Sequence, residues 1–108
     1  MNTIQAWRIW IYYRLSRDDD KEMNSLKNQR QILMDYIERN GHQFAGESFD
    51  DNVSGMTFER NGIEEIYRAA AEHRMDVVLV KDLSRLGREK IQTAMFIEYL
   101  RSHNIRVK

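Results

Sequence analysis

The segment from Asp76 to Lys81 contains Val77-Val78-Leu79-Val80, a run in which neither set of alternate residues is polar. A strand of this kind must bury both faces, which is the condition of a central strand in a parallel sheet covered by helices. A second run, Trp7 to Tyr13, is aromatic and β-branched and is apolar on both faces except at Arg8. It is read the same way, as a buried strand.

The intervening segments have helical periodicity. After the polar loop 17–22, Asn24 or Ser25 is a candidate N-cap, and the apolar stripe Leu26, Leu33, Tyr36, Ile37 runs to a stop at Asn40-Gly41. Gln29 and Arg30 fall on or beside that stripe, and a solvated helix position is the plain reading of Gln29. His42 to Phe49 predicts a weaker strand, and Asp50-Asp51-Asn52-Val53-Ser54-Gly55 predicts a loop. Thr57 is a candidate cap for a helix with Ile63, Ile66, Tyr67 and Ala70 inward. Beyond Lys81 comes Asp82-Leu83-Ser84-Arg85-Leu86-Gly87-Arg88, then a helix predicted to turn Ile91, Met95, Tyr99 and Leu100 inward. Asn104 ends it, and Ile105 to Lys108 begins a further strand. The order β-α-β-α-β-α-β predicts an α/β domain with a mostly parallel central sheet and helices on both faces. Right-handed crossovers then bring the loops after Tyr13, Phe49 and Lys81 to one edge of the sheet.

A chain of 108 residues is one domain by the usual relation of length to core. It has no cysteine, and His42, His73 and His103 are too scattered for metal-ligand spacing. No metal and no cofactor is expected, and the cysteine count favours an intracellular protein. No apolar run is long enough to span a membrane, and the N-terminus lacks a signal-peptide core.

The 17 basic and 17 acidic residues balance, so bulk charge does not attract nucleic acid. Twelve of the basic residues are arginine, however, the side chain suited to forked contacts with phosphate oxygens. Phosphate chemistry in such a body is local. Tyr12-Tyr13-Arg14-Leu15-Ser16 ends the first strand, and residues two apart on a strand project to one side. Arg14 and Ser16 are thereby placed to face one target, at the edge where open α/β sheets carry their sites. A hydroxyl beside a fixed cation suits attack on a phosphate.

Tyr12-x-Arg14-x-Ser16 resembles the start of serine site-specific recombinases, the resolvase/invertase group and its integrase and transposase relatives. The third loop, Leu83-Ser84-Arg85-Leu86-Gly87-Arg88, resembles the Leu-x-Arg-Leu-x-Arg pattern of the same family. Between them Ser25…Gln29, Ser54-Gly55 and Arg60-x-Gly62 stand in the family's order. The resemblance runs from about Trp7 to Lys108 and is greatest to the large serine recombinases of mobile elements.

That resemblance implies a site-specific DNA recombinase catalytic domain over residues 1–108, truncated before a long dimerisation helix and a DNA-binding region. It implies that Ser16 is the nucleophile, forming a 5′-phosphoserine link and freeing a 3′ hydroxyl without metal or ATP. Arg14, Arg60, Arg85 and Arg88 match the family's active-site and DNA-contacting arginines, and Gln29 its active-site glutamine. Tyr12 opens the first motif in a supporting place. The implied partners are double-stranded DNA at recombination sites and further copies of the chain, a dimer and then a tetramer in the full-length protein. The implied setting is the bacterial cytoplasm.

Two departures stand out. Resolvases carry an aspartate just before the first arginine of the third loop, where this chain has Ser84. The aspartate's suggested part in proton handling or arginine positioning is not transferred. Asp82, two residues earlier, is the candidate substitute, although a loop aspartate capping a turn is the plainer reading. No histidine stands at a motif position, so no general base is named. Three rival readings are a silent recombinase-like module that docks on DNA or a partner, an enzyme acting on a phosphorylated metabolite, and a metal-dependent nuclease-like site. Intact Ser16 and four arginines oppose the first. The lack of glycine between Leu15 and Lys21 opposes the second. A nuclease-like site built on Asp50, Asp51 and Asp82 would have to hold a divalent cation among arginines that repel it.

Overall fold

A computed structural model describes residues 6–15, 25–51, 61–81 and 90–108. Seven elements follow in order: β1 (Arg8–Leu15), α1 (Leu26–Arg39), β2 (Gln43–Asp51), α2 (Asn61–Ala71), β3 (Val77–Leu79), α3 (Lys90–Ser102) and β4 (Arg106–Val107). The strands form one sheet in the order β2-β1-β3-β4, and every pairing is parallel. The α/β alternation read from the sequence is the architecture found.

Alternation along β1 and β3 divides the core into two layers. Ile9, Ile11, Tyr13, Val77 and Leu79 face α1, whose Leu33 and Ile37 cover them. Trp10, Tyr12, Val78 and Val80 face the other way, beneath Ile66, Ala69 and Ala70 of α2 and Phe96 and Leu100 of α3. The apolar run at Val77–Val80 is thus buried on both sides, as its composition requires.

Local chemistry sets the element ends. The Ser25 hydroxyl accepts from the amide of Asn28 at 3.1 Å, capping α1. Gly41 takes φ +68° just beyond that helix, where a residue without Cβ carries no steric cost. Asn104 takes φ 61° after α3, and asparagine tolerates that conformation better than most side chains.

Two expectations are corrected. Asp50 and Asp51 are not loop: β2 continues through both, paired with Arg14 and Leu15 of β1. Strand pairing overrides their low intrinsic preference for extended structure. In α3, Ile91 and Met95 do not face inward but are 76% and 66% exposed. The buried positions are Phe96 and Leu100, with Tyr99 half-buried. Steps of four drift around a 3.6-residue helix, so Ile91, Met95 and Tyr99 do not hold one face. Tyr67 of α2 fixes the rotation by meeting Phe96 edge-on at 5.3 Å and Tyr99 at 4.8 Å.

Candidate active site at the carboxyl edge of the sheet

Parallel pairing sends the C-terminal ends of β1, β2 and β3 to one edge. Ser16 follows directly on Leu15, the last residue of β1, and Asp82 follows on Lys81 just past β3. Ser16, Arg60, Asp82, Ser84, Arg85 and Arg88 themselves lie outside the described residues, as does the Thr57 cap. Tyr12, Arg14 and Gln29 lie within them.

Pairing of β1 with β3 stops at Ile11 and Leu79, whereas pairing with β2 continues to Leu15. At Arg14 the amide of Gln29 takes the place of a neighbouring strand. Its Oε1 accepts from the Arg14 N–H at 3.1 Å, and its Nε2 donates to the Arg14 carbonyl at 2.7 Å. Gln29 is fully buried, not the solvated helix residue its setting suggested. These two bonds hold the backbone that leads into Ser16.

On the α2 side a second set of bonds joins three elements. The Tyr12 hydroxyl donates to Asp50 Oδ2 at 2.7 Å, and the Gly62 amide donates to Asp50 Oδ1 at 2.9 Å. Trp10 Nε1 donates to the Ser48 hydroxyl at 3.0 Å, which donates in turn to the Gly62 carbonyl at 2.9 Å. Ser48 and Asp50 thereby hold both backbone polar groups of Gly62. A Cβ at Gly62 would lie 2.9 Å from Asp50 Oδ2, from the Phe49 carbonyl and from Tyr12 Cε1, closer than van der Waals contact allows. That crowding is a physical reason for the glycine in Arg60-x-Gly62.

On the α1 side, Tyr13 stacks on Phe49 with ring centroids 5.4 Å apart. Burial raises the Tyr13 phenol above its ordinary value, with the Glu47 carboxylate adding to the rise. Glu47 is bonded to Arg30 Nε at 2.8 Å, and that hydrogen bond raises the Arg30 guanidinium.

Sequence reading missed Ser48 and Asp50. The signal was present in the register: Trp10 and Tyr12 are buried side chains carrying a polar tip, and such tips need partners. Among the described residues no group of three or more histidine, cysteine, aspartate or glutamate side chains could hold a metal ion. Asp50, one of the carboxylates a metal site would have used, has both oxygens engaged by Tyr12 and Gly62. Among the described residues no helix is long and apolar enough to cross a membrane.

The family model for the resolvase N-terminal domain matches residues 9–108. The fold is similar to the C-terminal catalytic domain of ISC1926 TnpA, an IS607-like serine recombinase, with TM-score 0.78 and 26% identity over 94% of this chain and 65% of that one. It is similar to the N-terminal catalytic domain of TP901-1 integrase, with TM-score 0.78 and 26% identity over 93% of this chain and 74% of that one. A resolvase-family site-specific recombinase from Streptococcus pneumoniae shares the fold, with TM-score 0.76 and 19% identity over 93% of this chain and 69% of that one. The chain therefore spans about two thirds to three quarters of these solved domains.

Proposed function

This chain belongs to the resolvase family, and we propose that it is the DNA-cleaving part of a serine site-specific recombinase of a bacterial mobile element. The observation that carries this reading is the convergence of the β1, β2 and β3 ends on one edge. These ends lead, in sequence, into Ser16, into the segment before Arg60, and into Asp82 to Arg88.

In the proposed reaction the Ser16 Oγ attacks a DNA phosphorus in line. The Oγ–P bond forms and the P–O3′ bond breaks. The serine proton is lost, and the departing 3′ oxygen ends as a hydroxyl. Charge grows on the equatorial oxygens, where Arg14, Arg60, Arg85 and Arg88 stabilise it without a metal. The phosphoserine conserves the bond energy, so a 3′ hydroxyl from a new partner strand reverses the step without ATP. Asp82 and Ser84 border the arginines in sequence and have supporting places, as does Tyr12 through Asp50. Double-stranded DNA is the substrate, and strand exchange requires a dimer that pairs into a tetramer. The length of the matched domains supports reading these 108 residues as part of a longer recombinase.

The test is denaturing electrophoresis of the native-length protein on a nicked suicide substrate. A protein–DNA adduct mapping to Ser16 is expected, formed without Mg²⁺ and abolished by Ser16→Ala with site binding retained. Arg85→Ala or Arg88→Ala should slow the step by about 10²–10³, with the double variant falling short of the product. An adduct that survives Ser16→Ala, or that requires Mg²⁺, would overturn the mechanism. A wild type that binds DNA and never forms an adduct would favour a silent docking module.

A further inference from the structure

Asp50 is 5% exposed, and its two oxygens are bonded to different elements. Tyr12, in β1, stands four residues before Ser16. Gly62 is the second residue of α2 and stands two residues after Arg60. The first amides of a helix lack partners within it, and here a carboxylate from a neighbouring strand takes one of them. A negative group is also favoured at a helix start by the helix dipole. Ser48 holds the Gly62 carbonyl from the same strand, so the first turn of α2 is seated on β2 at two points.

We propose that Asp50 is a positioning residue: its carboxylate fixes the start of α2 against the ends of β1 and β2, and so sets the point from which Arg60 departs relative to the strand leading into Ser16. This rests on the recombinase reading above. Asp50 acts through Gly62 and Tyr12, touches no DNA and transfers no proton.

The role requires an acceptor for Gly62 and a hydrogen-bond partner for Tyr12, and it does not require charge. In Asp50→Asn the amide oxygen accepts from Gly62, while the amide nitrogen donates to the Tyr12 hydroxyl, which can accept as well as donate. A carboxylate acting as a base or metal ligand has no such substitute. The asparagine variant therefore separates positioning from chemistry.

The experiment measures single-turnover adduct formation by the native-length protein on a suicide substrate. DNA affinity is measured on the same samples, below the melting temperature of each variant. Misplacing a reacting group by about 1 Å costs about 10²-fold in rate, and that loss is expected for Asp50→Ala. Tyr12→Phe removes one anchor and should slow the step about tenfold, in keeping with one charge-assisted hydrogen bond. Asp50→Asn should stay within about threefold of wild type, because it keeps both bonds. DNA affinity should be unchanged throughout. If Asp50→Ala does not fold, the Asn and Phe variants decide the matter. An Asn variant as slow as Ala, or a Tyr12→Phe variant as fast as wild type, would overturn the positioning role alone. A wild type that forms no adduct would overturn the recombinase reading and this role with it.

Discussion

The side-chain amide of Gln29 pairs with the backbone of Arg14 as a neighbouring strand would, accepting from its N–H and donating to its carbonyl. This occurs beyond the last β1–β3 pair, where β1 has only Leu15 still to run before Ser16. The amide carries no charge and does not titrate, so the bracing of the strand end is independent of pH.

Gln29→Leu should therefore weaken the domain without leaving a large cavity. It leaves two Arg14 backbone groups without the partners they have now, at about 1–3 kcal/mol for each unsatisfied group. Urea unfolding should show a loss of about 2–6 kcal/mol. Gln29→Glu should also destabilise, because a carboxylate can accept from the Arg14 N–H but cannot donate to its carbonyl.

Gly62→Ala tests the crowding at the start of α2. Alanine is ordinarily the better helix residue by nearly 1 kcal/mol, so an open site would gain stability. Here the new methyl would meet Asp50, Phe49 and Tyr12 at 2.9 Å. A net loss of about 1–3 kcal/mol is expected in thermal or urea unfolding, as for overpacked sites generally.

The rotation of α3 is tested by an opposed pair of substitutions. Phe96 is 3% exposed, and Phe96→Ala should cost about 3–5 kcal/mol. Ile91 is 76% exposed, and Ile91→Ser should change stability by no more than about 0.5 kcal/mol. Equal losses at the two positions would show that the helix faces the sheet differently.

Asp76 contributes a pH-dependent element far from the site edge. Its carboxylate accepts from the Arg8 amide at 2.9 Å and from the guanidinium at 3.1 and 3.3 Å. The guanidinium bond holds its carboxyl below the ordinary 3.8. Because the folded value is depressed, the stabilisation is present above pH 3.8 and is lost as pH falls through the folded value. Both side chains are about half exposed, so solvent screening keeps the deficit from losing the pair small. Asp76→Asn should show that deficit in urea unfolding at pH 7, and the deficit should shrink progressively as acid protonates the wild type.

The fold was legible because Val77–Val80 and Trp7–Tyr13 admit few places other than a covered parallel sheet. The three helices were legible from their apolar period, and Ser25 and Asn40-Gly41 marked α1 to within a residue. The rotation of α3 was not, because both rows of its apolar residues are long enough to cover a sheet. Tertiary packing, including that of Tyr67 against Phe96 and Tyr99, decides between them. Of the site, spacing on β1 put Arg14 and Ser16 on one side, and Arg60, Arg85 and Arg88 came from the family resemblance; of these five only Arg14 lies within the described residues. The burial of Gln29 and the bonds of Asp50 were not legible, because a polar side chain in a polar run looks solvated. What buries them is a backbone end or a helix start that sequence spacing does not display.

The placement of β1 between β2 and β3 has a kinetic consequence. Arg8 and Asp76, which meet at the start of the β1–β3 pairing, are 68 residues apart. Loop closure over such a span must precede the contacts that reward it, which slows folding. During synthesis the first strand can dock on α1 and β2 while its other long edge, with Trp10 and Tyr12 beside it, waits for β3. A nascent chain held in that half-built state presents an unpaired apolar strand to the cell. This is the species on which chaperone capture or misassembly would act.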